Sequence, residues 1–274
     1  MVDPKNPQAS QIADESMVRT LAAQASAIWP QERLLLERHA PAADARVLDV
    51  GCGTGEWSWR VAEWLPQAQV LGVDVMPELV ATAAQRNGAW APRLSFAVDD
   101  GYALAQPDDT FDLVACRHVL QAVPDPELMI AELVRVTRPG GRVHVLSEDY
   151  GMLHMTPGSL DPDVLWREGP VAYTARTGTD ARIGRRTGPL LRAAGLEEVS
   201  VDYVIVDTQR VPRRVFADII TAWRDGYVEP MARGSRLSAA EFRAHFDAVI
   251  ASILDPLQYA VWMIPIVSGR KRAN

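Results

Sequence analysis

The chain has 274 residues, 48% of them hydrophobic and 23% charged, with a formal net charge of −7. That length buries an ordinary core without a metal or disulfide staple, and that composition excludes both a disordered chain and a membrane-embedded one. The acidic balance repels phosphodiester backbones, so no nucleic-acid partner is expected; Arg270, Lys271 and Arg272 read as a solvated tail.

The amino-terminal stretch lacks a basic segment followed by an apolar run, and no later stretch offers about 18 uninterrupted apolar residues. The expected location is therefore cytoplasmic, with no membrane association. Cys52 and Cys116 stand far apart and outside any metal-ligand spacing, so no metal site is expected and both read as small buried residues.

Residues 12–39 read as helix, with Met17, Leu21, Ala25 and Ile28 at helical spacing and Pro30 opening a second helix. From Arg46 strands and helices alternate: V-L-D-V, a helix to about Leu65, Q-V-L-G-V-D, a helix over 78–87, and L-S-F-A-V. F-D-L-V-A-C follows, then a helix over 127–136, a turn at Pro139-Gly140-Gly141, and R-V-H-V-L-S. Residues 150–186 carry scattered Gly, Pro and Thr with little periodicity. A short helix, P-L-L-R-A-A-G, leads into V-S-V-D-Y-V-I-V-D; helices over 213–225 and 238–254 come next, and Y-A-V-W-M-I-P-I-V closes the sheet.

The expected fold is α/β, a doubly wound, mostly parallel, seven-stranded Rossmann-like sheet with helical cap insertions. Residues 1–45 would be a helical cap segment, 46–149 the ligand-binding core and 150–186 an active-site insertion; 187–274 would complete the sheet, with cap helices over about 212–254. Ligands of open α/β sheets lie beyond the strand carboxyl ends, so these additions are expected to close together over one.

The sharpest motif is V-L-D-V-G-C-G-T-G, residues 47–55, a buried strand running into a glycine-rich turn and a helix. Gly51, Gly53 and Gly55 permit a tight turn and close approach of a ligand, and the helix start offers amide donors to a carboxylate or phosphate. About twenty residues on, Asp74 followed by Val75 ends the second strand, where an acid accepts from ribose hydroxyls; capping of the next helix is the competing role. The loop reads G-x-G-x-G, with Glu56 where a dinucleotide fingerprint places its third glycine, which disfavours a nicotinamide oxidoreductase.

With F-D-L-V and R-P-G-G, these motifs resemble the class I S-adenosylmethionine-dependent methyltransferases of small molecules over residues 45–148. The resemblance implies S-adenosylmethionine as cofactor, S-adenosylhomocysteine as product and a small-molecule acceptor. It assigns Asp49, Gly51, Gly53 and Gly55 to the methionyl part and Asp74 to the ribose. The adenine falls to Asp99 or Asp100, with Asp100 favoured by spacing and Gly101 beside it, and Arg117 gives a backbone contact. Many relatives carry His at the position of Ala122, so that base is missing here. A related enzyme with other chemistry on the same cofactor is the alternative.

His118 stands close by, as a candidate base or a structural residue. Leaving the fifth strand, Glu148, Asp149, Tyr150 and His154 are candidates for acceptor contact or proton removal; Arg182, Arg185 and Arg186 could instead pair the acids. Two neighbouring acids slightly favour an amine acceptor. Trp166, Tyr173, Trp223, Tyr227 and Trp262 would line the cap or pack in the core.

Overall fold

A computed structural model describes Pro7 and residues 15–273. The helix start expected at residue 12 and most of the stretch read for a targeting signal lie outside the described residues. Among those described, no helix is long and apolar enough to cross a membrane.

Five parallel strands follow the order β3 (Leu94–Val98), β2 (Gln69–Asp74), β1 (Arg46–Val50), β4 (Phe111–Arg117), β5 (Thr137–Leu146). Val47, Leu48 and Val50 are at most 2% exposed, as a central parallel strand covered on both faces requires. Helices α2 (Glu56–Trp64), α3 (Pro77–Arg86), α4 (Pro126–Val136) and α7 (Gly184–Ala193) accompany these strands. The strand order reverses between β1 and β4, which opens a crevice at their carboxyl ends.

Beyond β5 lies the antiparallel strand β8 (Ala260–Arg270), paired on its other edge with β7 (Glu197–Asp207). An eighth strand, β6 (Leu153–Met155), pairs with the start of β8, one more than the seven expected. It lies inside 150–186, which also holds the short helices α5 (Pro162–Trp166) and α6 (Ala172–Thr177); irregular sequence there hid regular structure. The turn expected at Pro139-Gly140-Gly141 is absorbed into β5, as a register shift with Gly140 at φ 78°.

Helix α1 (Glu15–Glu37) runs unbroken through Pro30 instead of splitting there. Packing on one face outweighs the single backbone bond that proline removes. Helix α8 spans Arg213–Ala232, seven residues longer than expected, and α9 (Ala239–Leu254) starts at a capping box in which Ser238 and Glu241 satisfy each other's backbone amides. Where this helical pair leaves and re-enters the sheet, Thr208 N donates to Ala260 O at 3.1 Å. The buried Asp207 carboxylate there accepts from the Gln209 and Arg210 amides, the Arg210 side chain and the Tyr259 hydroxyl.

Ile28, Trp166, Phe216, Trp223, Phe246 and Trp262 belong to one buried cluster joining α1, α5, α8 and α9 to β8. The carboxyl-terminal basic run is no free tail: Arg270 and Arg272 pair with Glu197 and Glu198, and Lys271 Nζ bonds Asp109 at 2.7 Å.

Candidate active site

At the strand carboxyl ends lies a cavity of about 210 Å³. The sheet contributes Gly51, Gly53, Asp74 through Met76, Asp99, Gly101 and Arg117 through Val119; α1 roofs it with Met17, Thr20, Leu21 and Gln24. Its far wall is Glu148, Tyr150, Trp166, Tyr173, Trp223, Tyr227 and Phe246.

Gly51 and Gly53 sit at φ +75° and +54°, and a Cβ at Gly51 would overlap the Val119 side chain while one at Gly53 would come within 2.6 Å of Leu21. These two glycines keep the crevice open. Gly55, at φ +77°, instead packs against Phe96 and does not line the cavity. The loop amides themselves are committed: Gly51 N and Cys52 N both donate to Val73 O, and Gly53 N to Asp74 Oδ2 at 2.9 Å.

The other Asp74 oxygen accepts from Met76 N at 3.0 Å. Met76, the residue before α3, has no side-chain cap bond, so Asp74 ties the loop to the β2 end rather than capping the helix. Burial raises its pKa, opposed by those amides. Val75 stands at the rim, 36% exposed. Of the two acids after β3, Asp99 lines the cavity with Gly101, whereas Asp100, favoured by spacing, turns its Oδ1 to Tyr102 N. Asp49 faces a narrow space behind the glycine loop; burial pushes its carboxyl to about 6 against a 2.6 Å bond from Ser58.

Sequence reasoning gave Arg117 only a backbone role, yet its side chain heads a buried polar chain. Arg117 Nε donates to Glu32 Oε1 at 2.8 Å, His144 Nε2 meets the same oxygen at 3.1 Å, and His144 Nδ1 meets Ser268 Oγ at 2.9 Å. Burial alone would raise the Glu32 carboxyl; Arg117 and His144 outweigh it and hold it down at about 2. One signal was available: Glu32 continues the stripe of Met17, Leu21, Ala25 and Ile28, a charged residue where an apolar one belongs.

His118 sits at φ 57°, left-handed for a residue with a Cβ, at a cost of about 1–2 kcal/mol. That turn swings its ring into the cavity, where Nδ1 lies 2.7 Å from Glu148 Oε1. Both side chains are nearly sealed from solvent, and His118 Nε2 and Glu148 Oε2 are buried without a hydrogen-bond partner. Around them stand Trp223 and Trp262, edge to face with centroids 5.1 Å apart, and Tyr150 against Trp223 at 5.5 Å. The buried Trp166 indole N–H also lacks a partner.

Other candidates fall away. His154 is exposed on β6 and does not line the cavity. Asp149 is fully buried in a bidentate pair with Arg185, at 2.6 and 2.7 Å, which fixes the chain after β5. Tyr150 does line the cavity, but burial pushes its phenol well above 10, the wrong direction for a base. Trp262 packs behind Trp223 rather than facing the cavity.

Residues 47–141 match the family described as a methyltransferase domain. The demethylmenaquinone methyltransferase of Deinococcus radiodurans is 36% identical over 115 residues, covering 40% of this chain and 48% of that one. The ubiquinone biosynthesis O-methyltransferase of Xanthomonas oryzae pv. oryzae is 38% identical over 135 residues, covering 49% and 52%. This chain thus spans about half the length of the curated relatives it matches. Among solved structures, the [4+2]-cyclase SpnF superposes with a TM-score of 0.57 at 25% identity, over 88% of this chain and 80% of that one. Phosphoethanolamine N-methyltransferase 2 of Haemonchus contortus shares the fold, with a TM-score of 0.56 at 20% identity over 89% and 53%.

Proposed function

We propose that the chain is a class I S-adenosylmethionine-dependent methyltransferase and that it transfers a methyl group to the hydroxyl oxygen of a small acceptor, with His118 as general base. The observation that carries this reading is the His118–Glu148 pair, whose free nitrogen and oxygen face an aromatic-walled cavity. The glycine turn that a Cβ would fill and the carboxylate of Asp74 fit the cofactor, which when bound supplies an activated methyl group.

The chain's own residues do the rest. Glu148 accepts from His118 Nδ1–H, which fixes the tautomer and leaves the Nε2 lone pair as the acceptor for a hydroxyl proton. Trp166 Nε1–H can hold a second oxygen of the acceptor. The aromatic wall and α1 exclude water, so the alkoxide or phenoxide forms where it reacts. Asp74 serves the ribose hydroxyls with the lone pairs left by its two amide bonds, and the turn at Asp99 serves the adenine.

The test is transfer of labelled methyl from S-adenosylmethionine to a panel of hydroxylated arenes and matched amines. Oxygen methylation that falls about 10²–10⁴-fold in His118→Gln is expected, as loss of a general base predicts. Methylation of amines alone, or full turnover by His118→Gln, overturns it. The likeness to SpnF favours a second reading, in which the cofactor is bound and the acceptor is rearranged without methylation; an acceptor consumed with no gain in mass would establish it.

A further inference from the structure

We infer that the Arg117 guanidinium receives the carboxylate of the cofactor's amino-acid tail, an assignment that rests on the cofactor reading above. A carboxylate entering this cavity needs donors, and the glycine loop has none to spare at its surface. Gly51 and Gly53 are the loop residues that line the cavity, and their amides are committed to Val73 O at 2.8 Å and Asp74 Oδ2 at 2.9 Å.

Arg117 supplies what they lack. Its side chain is 8% exposed, and it lines both the main cavity and the narrow space behind the glycine loop. Nε is held on Glu32 Oε1 at 2.8 Å, while Nη2 is buried with no hydrogen-bond partner among the described residues. A guanidinium carries five donors, so one edge engages Glu32 and another remains for a ligand. Leaving a buried cationic N–H unpaired is costly, and a carboxylate arriving there turns that cost into a charge-assisted bond. Because Glu32 is itself fully buried and held by His144, the fork is oriented before the ligand arrives. Asp49, on the same narrow space, suits the ammonium of the same tail. Opposite charges at its two ends would seat the zwitterion in one direction.

Titration calorimetry tests this with two ligands, S-adenosylhomocysteine and its decarboxylated analogue, which differ only in the carboxylate. The wild type should prefer S-adenosylhomocysteine at least about tenfold, and Arg117→Met should bind both with the analogue's affinity. A merely structural arginine would lower both affinities together and keep the preference, which overturns the inference. Equal binding of both ligands by the wild type overturns it too, leaving the cofactor reading intact; binding of neither sinks the cofactor reading itself. If Arg117→Met does not fold, the double variant Glu32→Gln with Arg117→Gln removes both buried charges together, and the same ratio is read from it.

Discussion

Burial holds the Asp49 carboxyl at about 6, so the unliganded protein keeps it largely protonated below that pH and ionised above it. A cationic group of the cofactor favours the ionised form; cofactor affinity should therefore rise between about pH 5 and 7 and then level off. In Asp49→Asn the rise should flatten, which calorimetry across that range would register. Because the folded value lies above the unfolded one, the same residue makes the unliganded fold less stable as pH climbs from about 4 to about 6. Asp74→Ala should weaken cofactor binding by at least about tenfold, because both its oxygens also hold the loop that frames the site. Unchanged affinity in a folded variant would remove the ribose assignment. That Gly51, Gly53 and Asp74 meet at one cavity was readable because glycines and a strand-end acid act locally. His118 and Glu148, 30 residues apart, meet only because β4 and β5 are neighbours, so residue type named both candidates but could not pair them.

Helix α1 is fastened to the sheet by charge as well as by packing. Glu32 on its buried face meets Arg117 from β4 and His144 from β5, so one carboxylate joins three elements. Glu32→Ala would leave Arg117 buried without its counter-ion, and a loss of roughly 3–5 kcal/mol is expected in denaturant melts. Glu32→Gln keeps a hydrogen-bonding oxygen and should cost less; equal losses would mean that the pairing contributes little beyond shape. Since the Glu32 carboxyl lies near 2 when folded, its stabilising share is complete above the ordinary carboxylate range and disappears as pH falls toward 2. The strands and their rhythm were legible from Arg46 onward, because parallel strands buried on both faces are apolar throughout. Pro30 misled the reading of α1, since its effect on a helix is local and the packing that overrides it comes from distant residues.

On the proposed reading, the molecule divides its work between a cofactor side at the ends of the first five strands and an acceptor side made by the elements beyond β5. Trp223→Ala should raise the KM for the acceptor several-fold or more while leaving cofactor affinity within about twofold, because Trp223 packs on Tyr150 and Trp166 of the far wall and lies away from the glycine loop and Asp74. Parallel losses in both constants would show that the wall also holds the cofactor side in shape. Every member of that wall but Phe246 was a candidate from sequence, but lining could not be told from core packing, as Trp262 shows, because α5, α6, α8 and α9 are placed by contacts between segments remote in the chain. The meeting of Thr208 and Ala260 gives this division a further meaning. A helical pair of some fifty residues departs from β7 and returns to β8 through backbone positions already hydrogen-bonded to each other, and Asp207 with Tyr259 clasps the two ends. Such a junction works like a socket: a different pair of helices ending at the same spacing could be plugged in without moving the register of β7 and β8. The matched stretch ends at residue 141, ahead of this socket. Grafting a foreign pair that keeps the α8 face packed on α1, including the partner of Arg19, should therefore change which acceptors are taken while the cofactor continues to bind.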